Sequence, residues 1–163
     1  MEAGYDVKMS EIHGMSQRGG SVSSQVRYGE EVHSPVIERG GADILAAFEK
    51  MEALRWLNYL KPDGKIVVND YSVNPAPVTM GKCAYPSDII GELRGKADTT
   101  VVDAAAEAAK LGNPKVMNVI LLGTIIKLMH LEHIDWAKIV RDHVKPAFAE
   151  MNLKALQLGE RLV

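Results

Sequence analysis

The sequence predicts an α/β domain closed by a C-terminal helical segment. Three observations carry that expectation. Strand-type and helix-type runs alternate up to residue 102, and only helical patterns follow from residue 104 onward. Residues 65–69 (KIVVN) are apolar, rich in β-branched side chains and framed by turn residues, as a buried strand is. The alanine-rich run from residue 104 stops at Gly112 and restarts at Asn113-Pro114, a cap followed by a proline suited to a first helical turn.

Residues 7–12 (VKMSEI) alternate polar and apolar side chains and read as a strand. A glycine-containing loop follows, then a second strand over 22–28 and a turn at Gly29-Glu30-Glu31. Residues 32–37 read as a short third strand, which Pro35 marks as an edge or irregular one. After Arg39-Gly40-Gly41, the apolar run 44–48 leads into a helix with Met51, Leu54, Leu57 and Leu60 on one face. Lys61-Pro62-Asp63-Gly64 stops that helix with strong turn chemistry. Residues 74–77 read as extended loop, Ser87 as the cap of a short helix through Leu93, and 99–102 as a strand. Asp135 opens a helix that Pro146 breaks, and a last helix runs toward Leu162.

Composition narrows the function classes. The 163 residues carry a net charge of −2 with basic residues dispersed, so no polybasic nucleic-acid surface is indicated. A single cysteine, Cys83, forbids an internal disulfide and a self-contained iron–sulfur cluster, which takes about four thiolates. A reducing, cytoplasmic setting is expected. The N-terminus lacks a signal-type apolar core, and the most apolar stretch, 116–129, is shorter than the roughly 20 residues a membrane span needs.

The chemistry-bearing residues concentrate in Ser10-Glu11-Ile12-His13-Gly14-Met15-Ser16-Gln17-Arg18-Gly19-Gly20-Ser21-Val22. Arg18 beside Gly19-Gly20 suits an anion, a phosphate-bearing cofactor or a partner carboxylate. The same residues also suit a tight connection in which Arg18 caps a carbonyl, and both readings stay open. Asn69 ends the buried strand, where α/β sheets present binding groups, although Asn-Asp is also ordinary turn chemistry. Asn118, within an apolar helix, is expected to satisfy a structural hydrogen bond. His130 and His133 share metal-type spacing without a third ligand, so capping or solvated histidines are the better expectation. Cys83 reads as a small packed side chain, and Met15, Met51, Met117 and Met129 as core or interface filler. No nucleotide-binding glycine fingerprint, phosphate loop or nucleophile elbow occurs. Asp63-Gly64 lacks the preceding glycine and the downstream asparagine of a thiamine diphosphate site.

SEIHGMSQRGGSV resembles the signature segment of the small (beta) subunit of indolepyruvate ferredoxin oxidoreductase, in the gamma-domain family of the 2-oxoacid:acceptor oxidoreductases. The resemblance continues in Gly41-Ala42-Asp43 with Phe48-Glu49 and Glu52-Ala53-Leu54-Arg55, and in the strand from Gly64 to Asn69. It extends through Asp103-Ala104 with Ala109-Leu111-Gly112-Asn113, and through Asn118-Val119-Ile120-Leu121-Leu122-Gly123. Five such stretches in register are more specific than any one alone.

What the resemblance implies is a three-layer, Rossmann-like α/β fold. Its mostly parallel or mixed sheet would carry helices on both faces. Residues 1–163 would form a single gamma-type domain lacking its first glycine-rich βα unit, since the start at Met1 looks like the end of the family's first helix. Self-association or reduced stability is expected from such a loss. The implied function is that of a small subunit. A large (alpha) partner would decarboxylate arylpyruvates on thiamine diphosphate and pass electrons through iron–sulfur clusters to ferredoxin, with the acyl group going to coenzyme A. No cofactor is assigned to this chain, no metal site, and no catalytic residue. His13, Gly14, Met15, Gln17, Arg18, Gly19 and Gly20 form the expected cofactor-binding or partner-facing loop, with Asn69 and Asn118 as secondary candidates. Two other classes stay in play: a stand-alone module for an anionic or nucleotide-like small molecule, and a purely structural assembly subunit.

Overall fold

The computed structural model describes residues 1–13 and 22–163. Two strands, β1 (Asp6–His13) and β2 (Val22–Gly29), pair antiparallel from Asp6 opposite Gly29 to His13 opposite Val22. Three more strands, β3 (Ala42–Ala47), β4 (Leu60–Asn69) and β5 (Asp98–Val102), form a parallel sheet in the order β3-β4-β5.

The central strand β4 sets the layering. Ile66, Val67 and Val68 are wholly buried, because a strand covered on both faces is apolar at every position rather than at alternate ones. Ile66 and Val68 pack with Ala53 of α1 (Lys50–Trp56) and with Ile89 and Leu93 of α3 (Ile89–Arg94). Val67 turns the other way, onto Ala104 and Ala108 of α4 (Ala104–Lys110) and onto Ile120 and Leu121 of α5 (Met117–Leu128). Both crossovers run in the same direction across the sheet, so crossovers of one hand put α1 and α3 on the same face. The result is the three-layer α/β arrangement expected.

The C-terminal helices α6 (Trp136–His143) and α7 (Pro146–Arg161) pack with α5 through Ile126, Val140, Leu153 and Leu156. Helices α5 and α7 approach at two glycines. A Cβ on Gly159 would enter the Ile120 carbonyl, and one on Gly123 would enter the Leu156 carbonyl. Thr124 closes the crossing by donating its hydroxyl to the carbonyls of Ile120 and Gly159, each at 3.2 Å.

Several local expectations are corrected. Residues 32–37 are not a strand. They are irregular chain held by side chains of the hairpin, with Gln25 Oε1 accepting from the Ile37 amide at 2.7 Å and Asp6 from the Val32 amide at 2.9 Å. The apolar run from Ile44 is strand β3 itself, not the lead-in to a helix, because its pairing with β4 outweighs local helix preference. Lys61-Pro62-Asp63-Gly64 lies inside β4 as a bulge, between the pairs Ala42–Leu60 and Ile44–Lys65. Gly64 is required there because a side chain would collide with that of Leu60. The cap of α3 is Asp88 rather than Ser87, its Oδ1 accepting from the Gly91 amide at 3.1 Å. Residues Ala76–Thr79 form one helical turn, α2, where extended loop was expected. Pro146 starts α7 instead of interrupting α6, as its missing N–H allows at a first helical position. Gly112 takes the left-handed conformation after α4 (φ 83°), and Asn113 and Asp135 cap the segments that follow them.

Candidate functional site

The expected site loop divides between two regions. His13 ends β1, half exposed, with Nε2 2.8 Å from Glu11 Oε1 on the same face of the strand. Gly14, Met15, Gln17, Arg18, Gly19 and Gly20 lie outside the described residues. What the structure defines is the stem that presents the loop: eight cross-strand pairs of antiparallel hairpin.

Asn69 stands at the carboxyl end of β4, where open α/β sheets gather their binding groups. Its side chain is wholly buried and committed to the protein. Nδ2 donates to the Phe48 carbonyl (3.2 Å) and to Met117 Sδ (3.3 Å), and Oδ1 accepts from the Ala104 amide (3.0 Å). One amide thus ties the chain leaving β3 to the first turns of α4 and α5. Asn118 contradicts its expectation: it is exposed in the first turn of α5 rather than buried. Cys83 is exposed rather than packed.

The two spaced histidines do not share a helix. Helix α5 ends at Leu128, and His130 follows with φ 55°, the left-handed position that ends many helices. Its amide donates to Lys127 and that of Leu131 to Ile126. Glu132 accepts from Lys127 Nζ at 2.8 Å. Among the described residues, no group of three or more His, Cys, Asp or Glu is placed to hold a metal ion.

A buried polar cluster beside the sheet gave no sequence signal of its own. Glu49 is only 8% exposed, just past the carboxyl end of β3. It caps α1 by accepting from the Glu52 amide (3.0 Å), accepts from the Val73 amide (3.2 Å), and receives the Tyr85 hydroxyl. Burial, and then the hydrogen bond to Glu49, push the Tyr85 phenol above its ordinary value. Glu49 and Phe48 appear in the sequence only as part of a family stretch, because Asn69 lies 21 residues from Phe48, and Val73 and Tyr85 lie 24 and 36 residues from Glu49. Lys50 and Asp70 bridge the same strand ends at 2.7 Å, with Phe48, Tyr71 and Val73 exposed beside them.

Polar groups at the carboxyl end of the sheet therefore position loops and helix starts. Two shallow cavities, of about 380 Å³ by Trp136 and Gln157 and about 340 Å³ by Arg39 and Trp56, contain no residue from these strand ends. Among the described residues, the hairpin stem and the apolar rim around Phe48 and Tyr71 are open to another molecule.

Comparison with known proteins decides the family. The sequence model described as "Pyruvate ferredoxin/flavodoxin oxidoreductase" matches residues 1–162. The chain belongs to this family. Within it, the chain is 37% identical to "Indolepyruvate oxidoreductase subunit IorB" of Pyrococcus horikoshii, over 98% of this chain and 82% of that protein. It is 38% identical to the subunit of the same name from Archaeoglobus fulgidus, over 98% and 81%. The gamma subunit of a keto/oxoacid ferredoxin oxidoreductase from Geobacter sulfurreducens shares the fold, with a TM-score of 0.68 at 23% identity, covering 98% of this chain and 81% of that one. A 2-oxoglutarate:ferredoxin oxidoreductase from Magnetococcus marinus contains the same fold in 26% of its chain, with a TM-score of 0.70 at 17% identity over 99% of this chain. No helix among the described residues is long and apolar enough to cross a membrane.

Proposed function

We propose that this family member is the small subunit of an indolepyruvate-type 2-oxoacid ferredoxin oxidoreductase, working with a large subunit in the cytoplasm. The observation that carries the reading is collinear identity of 37% across 98% of the chain with a subunit of that name. In the complex a 2-oxo acid loses its carboxyl group as carbon dioxide, and two electrons pass singly to two ferredoxins. The acyl carbon bonds to the sulfur of coenzyme A, whose thiol proton is released. Thiamine diphosphate and the iron–sulfur clusters belong to the large subunit, consistent with the single cysteine here. Residues 1–163 act as one gamma-type domain.

The role of this chain is to complete the surroundings of the partner's active site. The loop holding His13, Gly14, Met15, Gln17, Arg18, Gly19 and Gly20 faces the large subunit or the coenzyme. Its stem is a regular hairpin that fixes where the loop starts and ends. Asn69 serves the fold, and Asn118, exposed in the first turn of α5, stays the secondary candidate for a contact. Self-association is a second reading, favoured by the open outer edges of β3 and β5 among the described residues.

Co-expression with the large subunit tests the function. Arylpyruvate- and coenzyme A-dependent reduction of ferredoxin is expected only when both chains are present, and full activity of the large subunit alone would refute it. Arg18→Ala is expected to weaken assembly or raise the apparent requirement for coenzyme A. Unchanged assembly and kinetics would remove the loop from the site.

A further inference from the structure

The two faces of the β1–β2 hairpin differ in what covers them. Cross-strand register puts Val7, Met9, Glu11 and His13 on one face with Tyr28, Val26, Ser24 and Val22 opposite them. On the other face, segment 32–37 covers the part around Arg27 and Gln25, while Ile12 nearer the tip is exposed. Arg27 donates to the Ser34 and Val36 carbonyls (3.2 and 3.3 Å), and Gln25 holds the Ile37 amide. Among the described residues, the first face has cover only at its base, where Tyr5 meets Tyr28 edge-on with ring centroids 5.4 Å apart. Beyond that, Met9 is 63% exposed, Val22 52% and Val26 50%.

We propose that this face of the hairpin is a docking surface for an apolar, uncharged patch of the large oxidoreductase subunit. The inference rests on the functional reading above and adds the surface through which it acts. Charge points to an apolar occupant. Glu11 lies 2.8 Å from His13 Nε2 and accepts from the Ser24 hydroxyl, so the polar side chains described at this end of the face are satisfied by one another. Area selects between a second copy and a larger chain. The bare apolar surface is on the order of 400 Å², a size at which exposed patches mark binding sites. Two copies laid face to face would bury about 800 Å² in all, short of the roughly 1,200 Å² of a stable interface. A larger partner escapes that limit because it reaches past the hairpin. An isolated two-stranded hairpin is also marginal in water, and a covering partner supplies the missing layer.

The test compares two sets of substitutions in the full chain co-expressed with the large subunit. Met9→Lys with Val26→Glu places opposite charges on a directly facing pair, which supports the hairpin while removing its apolar face. Ile12→Lys makes the same kind of change on the opposite face. At least tenfold weaker association is expected for the double variant at unchanged melting temperature, and wild-type association for Ile12→Lys. Val26→Thr, isosteric and gentle, is expected to weaken association severalfold even if the double variant unfolds. Wild-type affinity in the Val26→Thr chain, or in a folded double variant, overturns the proposal. So does loss of a homodimer with unchanged affinity for the large subunit, which would assign the face to a second copy. Failure of the wild-type chain to bind the large subunit refutes the functional reading itself, a different result from either.

Discussion

The hairpin and the sheet-and-helix body are built on opposite terms. In the body, β4 is buried on both faces and α5 meets α7 backbone to backbone at Gly123 and Gly159. In the hairpin, Met9, Val22 and Val26 stand half or more exposed on a sheet two strands wide. A protein that needed both regions for stability would not leave one so bare. The contrast places stability in the body and, with the docking role proposed above, recognition in the hairpin.

The largest expected effect is at the helix crossing. Gly159→Ala should destabilise the protein by about 3 kcal/mol or more, because its new methyl group meets the Ile120 carbonyl rather than a side chain that can move. Chemical denaturation measures it, and a loss under 1 kcal/mol would show that the helices separate easily and weaken the contrast. Next is Asn69→Ala, expected to cost about 2 kcal/mol by stranding the buried Ala104 amide. The same unfolding curve checks it.

A smaller, pH-dependent effect separates the regions further. Tyr85 is raised above 10.0 in the fold, chiefly by burial, so the fold favours its neutral form. Its stabilisation is fully present below the ordinary tyrosine value and is lost as pH rises through the higher folded value. Melting temperature should therefore fall above about pH 10. Tyr85→Phe should remove part of that fall, besides losing the Glu49 hydrogen bond at a cost of about 1 kcal/mol. Tyr28 is also raised, by burial and then by Asp43 and Tyr5, so Tyr28→Phe should remove a further part of the fall. If neither variant alters the alkaline limb, the phenols do not govern it.

The smallest stability effect is expected in the hairpin. Met9→Lys should change stability by no more than about 0.5 kcal/mol, since the side chain is already mostly in water. A loss as large as that of Gly159→Ala would end the division between a stabilising body and a recognising hairpin.

Legibility in the sequence follows the range of the interaction. Caps at Asn113, Asp135 and Gly112 were readable because each works within a few residues of chain. The central strand was readable because burial on both faces removes polar residues from a continuous run. Strand β3 was missed as a strand because its alanines and leucine suit a helix equally well, and pairing with β4 decided the matter. His130 and His133 suggested a shared helix that a left-handed turn had already ended. Asn118 was misplaced because an apolar neighbourhood in sequence does not say which side of a first helical turn faces water.

By itself, the sequence determined the family, the α/β alternation, the caps at Gly112, Asn113 and Asp135, and the absence of thiols for a cluster. Tertiary structure alone decided that Asn69 is a buried tie rather than a presented group, since its partners lie up to 48 residues away. It alone paired Glu49 with Tyr85 across 36 residues, and left Met9, Val22 and Val26 exposed on one face of the hairpin while segment 32–37 holds Gln25 and Arg27 on the other. The reason is physical: a cap or a turn is satisfied by neighbours along the chain. Whether a side chain is buried, bonded or bare depends on which layer the fold lays over it.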